Sequence, residues 1–287
     1  MSSRRRASKV MRLWDWSVPP TSAHREVLSI VPEGWHDQPR SSRKPPLLFV
    51  HGIAHGAWCW REHWMPAAAE RGFPAYAVSL RGHGDSGGRK RLGRTLLRHY
   101  VHDVMQTITE LPQPPVLVGH SMGALIAQLV ADRYQPRGLA LLTPAPLQGA
   151  AYMVPRLLRR RPRDAAKVLA GGTLPLRADQ LFTGLDATSA ERYVDRLGKE
   201  SPWAQYELFV PHRIGPVRCP VLVVGTPDDR VVDIKAVETT AAAYDVDPVW
   251  LPGIGHDLML DAGWEKALGV LLDWADEYCV GRGRVVP

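Results

Sequence analysis

Three sites in this 287-residue chain carry side chains that could do covalent chemistry together: Ser121 within Gly119-His120-Ser121-Met122-Gly123, the acidic pair Asp228-Asp229, and His256. A serine hydroxyl is a poor nucleophile near neutral pH. It becomes a good one when a neighbouring base takes its proton, and that base in turn needs an acid to orient it. Such a set attacks acyl carbonyls. A tetrahedral intermediate formed on the serine would also need preorganised N–H donors, and Met122, next after the nucleophile, offers its amide.

The elements that position these groups are legible around them. Val116–Val118 is a short apolar run that predicts a buried strand, and Ala124–Val130 continues as an apolar helix, so Ser121 falls where strand becomes helix. A nucleophile on so tight a turn takes a strained backbone, and side chains two residues away would clash, which accounts for glycine at 119 and 123. Asp228 and Asp229 follow an apolar run at Val221–Val224, and His256 follows another at Val249–Leu251. Each candidate therefore lies just past the carboxyl end of a strand. In a parallel sheet those ends share one edge, where distant residues converge.

Elsewhere the chain alternates in the same rhythm. Strands are predicted at His24–Val31, Leu47–Val50, Ala75–Leu80 and Gly138–Leu142. Helices are predicted at 61–71 and at 94–111, where Leu97, Val101, Met105, Ile108 and Leu111 share a face, and later at Ile234–Tyr244 and Trp264–Tyr278. Between Pro144 and Pro216 no apolar strand run occurs, and helical stretches are expected near 152–160, 164–170, 177–183 and 188–198. The fold class expected is α/β, a mostly parallel doubly wound sheet with an inserted helical cap. Its organisation is expected to be a basic flexible arm over 1–20, a core from 21–144 and 217–287, and the cap at 145–216.

Lys and Arg number 36 against 29 Asp and Glu, a net charge of +7. The excess gathers at Arg4–Arg6, Arg89–Arg98 and Arg156–Arg163, and reads as solvated faces; no aromatic-interleaved basic strand points to nucleic acid. No run of about 18 apolar residues predicts a membrane span. The twin arginine near the start lacks the apolar run of an export signal. Three widely spaced cysteines, Cys59, Cys219 and Cys279, read as reduced, buried small hydrophobes of a cytoplasmic protein.

In order, the segments LLFVHG, RGHGDSGG, GHSMG, D-R-V-V and GIGHD resemble the α/β-hydrolase superfamily over roughly Arg25 to Tyr278. HGIAHGAWCW is similar to the opening of some esterases and plant hydroxynitrile lyases, and HDLMLD to lysophospholipase-like and bacterial esterase members. The resemblance implies a catalytic triad of Ser121, Asp229 and His256, with Asp228 the alternative acid. It implies an oxyanion hole of the Ile53 and Met122 backbone N–H groups, and neither cofactor nor metal. His51 and His120 are expected to brace the oxyanion loop and the elbow, His83 to anchor its loop with Arg81 and Asp85 as companions, and His55 to pack or touch substrate. Asp257 is expected at the surface or behind the catalytic groups.

The implied activity is hydrolysis of a small-molecule carboxylic ester. Tyr152, Met153, Leu157, Leu158, Leu181, Phe182, Trp203, Tyr206 and Phe209 could line an apolar acyl pocket in the cap or form the cap's own core. Carbon–carbon bond hydrolysis or lyase chemistry on the same triad is the alternative within enzymes; Lys167 and Lys199 are the cap's lysines. A non-catalytic ligand-binding member of the fold is the alternative outside them. Serine at the elbow disfavours dehalogenase and epoxide-hydrolase chemistry, whose relatives place aspartate there.

Overall fold

Seven short strands, apolar where the sheet is deepest, build one sheet. In the computed structural model, which describes residues 24–40 and 42–280, these are β1 (Val27–Ile30), β2 (Leu47–Val50), β3 (Ala75–Val78), β4 (Val116–His120), β5 (Gly138–Leu142), β6 (Val221–Gly225) and β7 (Val249–Trp250). The expected arm over 1–20, and 281–287 of the expected core, lie outside the described residues. The spatial order is β1-β3-β2-β4-β5-β6-β7; β1 runs antiparallel to β3 and every other neighbour is parallel. Every residue of β2, β4 and β5 is buried, as expected of strands covered on both faces.

Alternation along these strands divides the core in two. Leu47, Phe49, Val116 and Val118 join Trp60, Trp64 and Leu271 on one face, while Leu48, Val50, Leu117, Tyr100 and Leu125 pack on the other. The helix predicted over 61–71 is two, α1 (Trp58–Arg61) and α2 (Trp64–Glu70), because His63 between them leaves helical backbone at φ −134°. The helix predicted over 94–111 is α3 (Leu97–Glu110); Leu96 is extended and Arg89–Arg94 forms a separate 3-10 segment. The nucleophile helix is α4 (Met122–Ala131).

Between β5 and β6 the described residues form helices and no strand: α5 (Val154–Arg160), α6 (Pro162–Leu169), α7 (Ala178–Leu181), α8 (Ala187–Val194) and α9 (Pro202–Glu207). The last was not predicted, although its signal is present: Ser201 caps it by accepting from Ala204 N and Pro202 occupies the first turn. This inserted segment touches the loops at the sheet's carboxyl edge, with main-chain bonds to two of them. Asp257 N donates to Leu181 O at 3.0 Å, and Gly198 N donates to Ala54 O at 2.7 Å. The fold closes with α10 (Ile234–Ala242) and α11 (Trp264–Cys279).

No helix of the described residues is long and apolar enough to cross a membrane. None of the three cysteines forms a disulfide; Cys59 and Cys279 are buried, whereas Cys219, at the approach to β6, is only partly so. Arg89, Arg91, Arg94, Arg98, Arg159, Arg160 and Arg163 are exposed, and the side chain of Arg156 lies outside those described.

Candidate active site

β4 ends at His120 and α4 begins at Met122, so Ser121 alone makes the turn. Its backbone stands at φ 54°, ψ −119°, a sparsely populated conformation for a residue with a side chain. The surroundings hold it there: Ser121 N donates to Leu142 O at 3.0 Å, and its carbonyl accepts from Ala124 N and Ala145 N at 3.0 and 3.1 Å. A Cβ at Gly119 would sit 2.4 Å from Gly123 O, and one at Gly123 would sit 2.3 Å from Val50 O. The turn closes only without those carbons.

His256 follows β7 and Asp229 follows β6, two strands that pair in parallel. His256 Nδ1 lies 2.7 Å from Asp229 Oδ2, and Asp229 Oδ1 accepts from Val231 N and Val232 N at 2.7 and 2.8 Å. Asp228 is turned elsewhere, with Oδ2 accepting from Gly253 N at 2.7 Å. Burial alone would depress the His256 pKa, but the Asp229 carboxylate, its hydrogen bond and the charge of Asp257 outweigh that and raise it above 6.5.

Around this pair lies a set of buried histidines. His120 Nε2 donates to the His256 carbonyl at 2.9 Å, which ties the strand before the nucleophile to the base. Burial first, then the neighbouring His256, push His120 down to about 3, so it works as a neutral donor. His51 accepts from Leu80 N at 3.0 Å through Nε2, while its Nδ1 lies 2.8 Å from Gly52 O. Burial, reinforced by His83, holds it well below the ordinary value. His55 bridges Ile53 O at 2.8 Å and Asp257 Oδ2 at 2.9 Å. His83 reaches Glu200 Oε2 at 3.1 Å and its Nδ1 lies 3.3 Å from Arg81 O, while the Arg81 guanidinium pairs with Asp103. Asp85 is exposed, its amide donating to Glu26 Oε2 at 3.0 Å.

Residues 47–266, most of the chain, match the family described as the alpha/beta hydrolase family. The chain belongs to that family. Methylesterase 3 of Arabidopsis thaliana is 35% identical over 94 residues, which span 32% of this chain and 35% of that relative. The carbendazim hydrolyzing esterase of Nocardioides sp. (strain SG-4G) is 27% identical over 239 residues, 77% of this chain and 96% of that one. Among solved structures, the monoacylglycerol lipase of Paleococcus ferrophilus superposes with TM-score 0.64 at 20% identity, covering 89% of this chain and 98% of that one, a likeness of fold.

In this alpha/beta hydrolase the carboxyl edge thus gathers Ser121, Asp229, His256 and the loop that carries Ile53. Among the described residues the Ile53 amide donates to no protein acceptor, and Met122 opens a helix whose first-turn amides lack intrahelical partners. One potential ligand atom from each of His120, His256 and Asp257 comes within 4.8 Å of the others, a grouping that sequence spacing did not reveal. Each residue already has a bond: Asp229 on His256, the His256 carbonyl on His120, His55 on Asp257. His120 Nδ1 and Asp257 Oδ1 have no hydrogen-bond partner among the described residues.

Asp257 is fully buried, which excludes the surface position considered for it and leaves the one behind the catalytic groups. Sequence reasoning gave no place to Glu200, which is 5% exposed, nor to the buried Asp103 and Asp261. The nine apolar residues considered as an acyl pocket divide. Leu181 and Phe182 are buried, Leu157, Tyr206 and Phe209 half-buried, and Tyr152, Leu158 and Trp203 exposed; the side chain of Met153 is outside those described.

Proposed function

We propose that this alpha/beta hydrolase cleaves carboxylic esters through an acyl-enzyme on Ser121. Asp229 occupies Nδ1 of His256, which leaves Nε2 for the serine. In the first step Ser121 Oγ bonds to the ester carbonyl carbon as His256 takes its proton, and the oxyanion meets the N–H groups of Ile53 and Met122. Each such donor contributes about 2.7–4 kcal/mol in comparable acyl-transfer sites. Collapse breaks the ester C–O bond, and His256 returns the proton to the departing alcohol. Water then attacks the acyl carbon by the same route, releasing acid and free serine.

The observation that carries this reading is the 2.7 Å bond between His256 and Asp229, with Ser121 held at φ 54° next to His120, whose Nε2 reaches the His256 carbonyl. Likeness to the methylesterase and the carbendazim hydrolyzing esterase supports an ester as substrate. The segment 145–216 acts as a cap over the edge, and its apolar content favours a hydrophobic acyl or alcohol part, although Leu181 and Phe182 belong to the core beneath it. Lyase chemistry finds little support, since both Lys167 and Lys199 are exposed. Free thiols fit a cytoplasmic setting.

A fluorophosphonate probe tests the chemistry. Wild type should be labelled at Ser121, and both Ser121→Ala and His256→Ala should lose the label; a folded wild type that resists labelling is a ligand-binding member instead. A panel of p-nitrophenyl esters tests the cap, and turnover of the shortest acyl chain alone would refute the apolar pocket.

A further inference from the structure

The loop after β2 is held in a conformation it would not adopt unaided. Ala54 stands at φ 62°, in the left-handed region, which a residue with a Cβ enters at a cost. Three contacts fix it. The Ile53 carbonyl accepts from His55 Nδ1 at 2.8 Å, Ala54 N donates to Glu200 Oε2 at 3.2 Å, and Ala54 O accepts from Gly198 N at 2.7 Å. The peptide that joins Ile53 to Ala54 is therefore gripped at its oxygen from one side and at its N–H from the other. Its orientation sets the ψ of Ile53 and so steadies the preceding peptide, whose N–H is the proposed oxyanion donor.

Glu200 has an environment built for an anion. Besides Ala54 N, its carboxylate accepts from His83 Nε2 at 3.1 Å, from the Tyr100 hydroxyl at 2.6 Å and from Ser201 N at 2.6 Å. Ala54 N and Ser201 N can only donate, and an ionised carboxylate suits all four contacts; against the burial that would raise it, His83 holds the Glu200 carboxyl below its ordinary value. The other His83 nitrogen lies 3.3 Å from Arg81 O, and against burial Glu200 raises the His83 pKa, which favours a ring that donates on both sides. A buried ion pair is an expensive way to fill space, since desolvation offsets most of its attraction. A pair of apolar side chains would pack there as well; they could not orient a backbone amide.

We propose that Glu200 is a positioning residue for the oxyanion hole, through which the inserted helical segment sets the geometry of the Ile53 loop. Its kinetic consequence rests on the hydrolase reading; its structural consequence does not. A glutamine at 200 keeps the shape but turns a donor toward four donors, freeing the Ile53–Ala54 peptide while leaving Ser121, His256 and the acyl-binding surface in place. Loss should therefore fall on kcat and spare KM.

Two measurements on the full chain test this. In folded Glu200→Gln, kcat on a p-nitrophenyl ester should fall roughly ten- to a hundredfold, below the 10²–10³ expected for outright removal of a donor, with KM nearly unchanged. Amide exchange, followed by mass spectrometry on the peptide containing residues 52–57, should accelerate at least tenfold. Tyr100→Phe, which leaves the carboxylate three donors, should show the same pattern more weakly and serves if Glu200→Gln does not fold. Wild-type kcat and wild-type exchange in either folded variant overturn the proposal. A loss confined to KM also overturns it, since that would place Glu200 at the substrate rather than at the loop. If wild type turns over no ester and takes no fluorophosphonate, the hydrolase reading fails. The exchange measurement then still decides whether Glu200 holds the loop.

Discussion

Asp228 and Asp229 are neighbours in the chain and their carboxylates hold two different points of the loop after β7: Asp229 Oδ2 meets His256 Nδ1 at 2.7 Å, while Asp228 Oδ2 meets Gly253 N at 2.7 Å. Asp229→Asn should thus cost about four orders of magnitude in kcat, because the amide no longer selects the tautomer that leaves Nε2 free to accept. Asp228→Asn keeps a carbonyl oxygen for Gly253 and should cost about 1 kcal/mol of stability, with the rate near wild type. Steady-state kinetics and urea unfolding of the two variants separate the roles; equal kinetic loss in both would contradict them.

Activity should rise with pH. His256 must be neutral to accept the serine proton, and with Asp229 and Asp257 overcoming burial its pKa is raised above 6.5, so the half-point of kcat/KM should lie above 6.5. Removing the charge of Asp229 takes away the main opposition to burial, and the residual rate of Asp229→Asn should show a lower half-point. The same pairing adds stability that is fully present below the unfolded histidine value and disappears as pH rises through the folded one. A pH–rate profile with its half-point below 6.5 in wild type would refute the pairing.

Two glycine substitutions should have opposite effects. Gly119→Ala drives a Cβ to 2.4 Å from Gly123 O and 2.6 Å from Ala124 Cα, backbone that cannot step aside, and should cost more than about 3 kcal/mol. Gly269→Ala lies inside α11 with nothing within 4 Å of the new carbon, and should stabilise by about 0.5–1 kcal/mol. Thermal melts read both.

Acid should loosen the region around the site only once the pH falls below the ordinary carboxyl values of its buried acids. Burial would raise the carboxyl groups of Asp257 and Glu200, but His55 and His120 beside the first, and His83 and Tyr100 beside the second, lower both below their ordinary values of 3.8 and 4.5. Their contribution is complete above those values and is lost as pH falls from there toward the folded values. Unfolding midpoints measured from pH 6 down to 3 should drop steeply in wild type and less in Glu200→Gln; parallel curves would argue against an ionised Glu200.

Sequence made the central strands plain because burial on both faces forces uninterrupted apolar runs, as in LLFV of β2 and VLV of β4. Gly119 and Gly123 marked the turn because sterics leave no other residue there. The break at His63 has no breaker in the sequence. Leu96 opens α3 as an extended cap whose amide donates to His99 Nδ1, a signal of another type than the usual capping side chains. Glu200 was hidden for another reason. Before a Ser-Pro helix start it looks like a solvated charge, and its partners Ala54, His83 and Tyr100 lie 100 or more residues away. The link from His120 to the His256 carbonyl spans 136 residues and leaves no local trace. Patterns of period and turn report neighbours along the chain, whereas these contacts are made by the closed sheet.

The strand order has a consequence for the time at which the protein becomes reactive. β4, which presents Ser121, sits between β2 and β5, both translated before β6 and β7 bring Asp229 and His256. A growing chain can therefore assemble its elbow while the proton acceptor has yet to leave the ribosome, and Glu200 and Asp257 arrive late as well. On the proposed mechanism the serine gains its base only after β6 and β7 are made, so a chain that has reached β5 alone carries a silent serine.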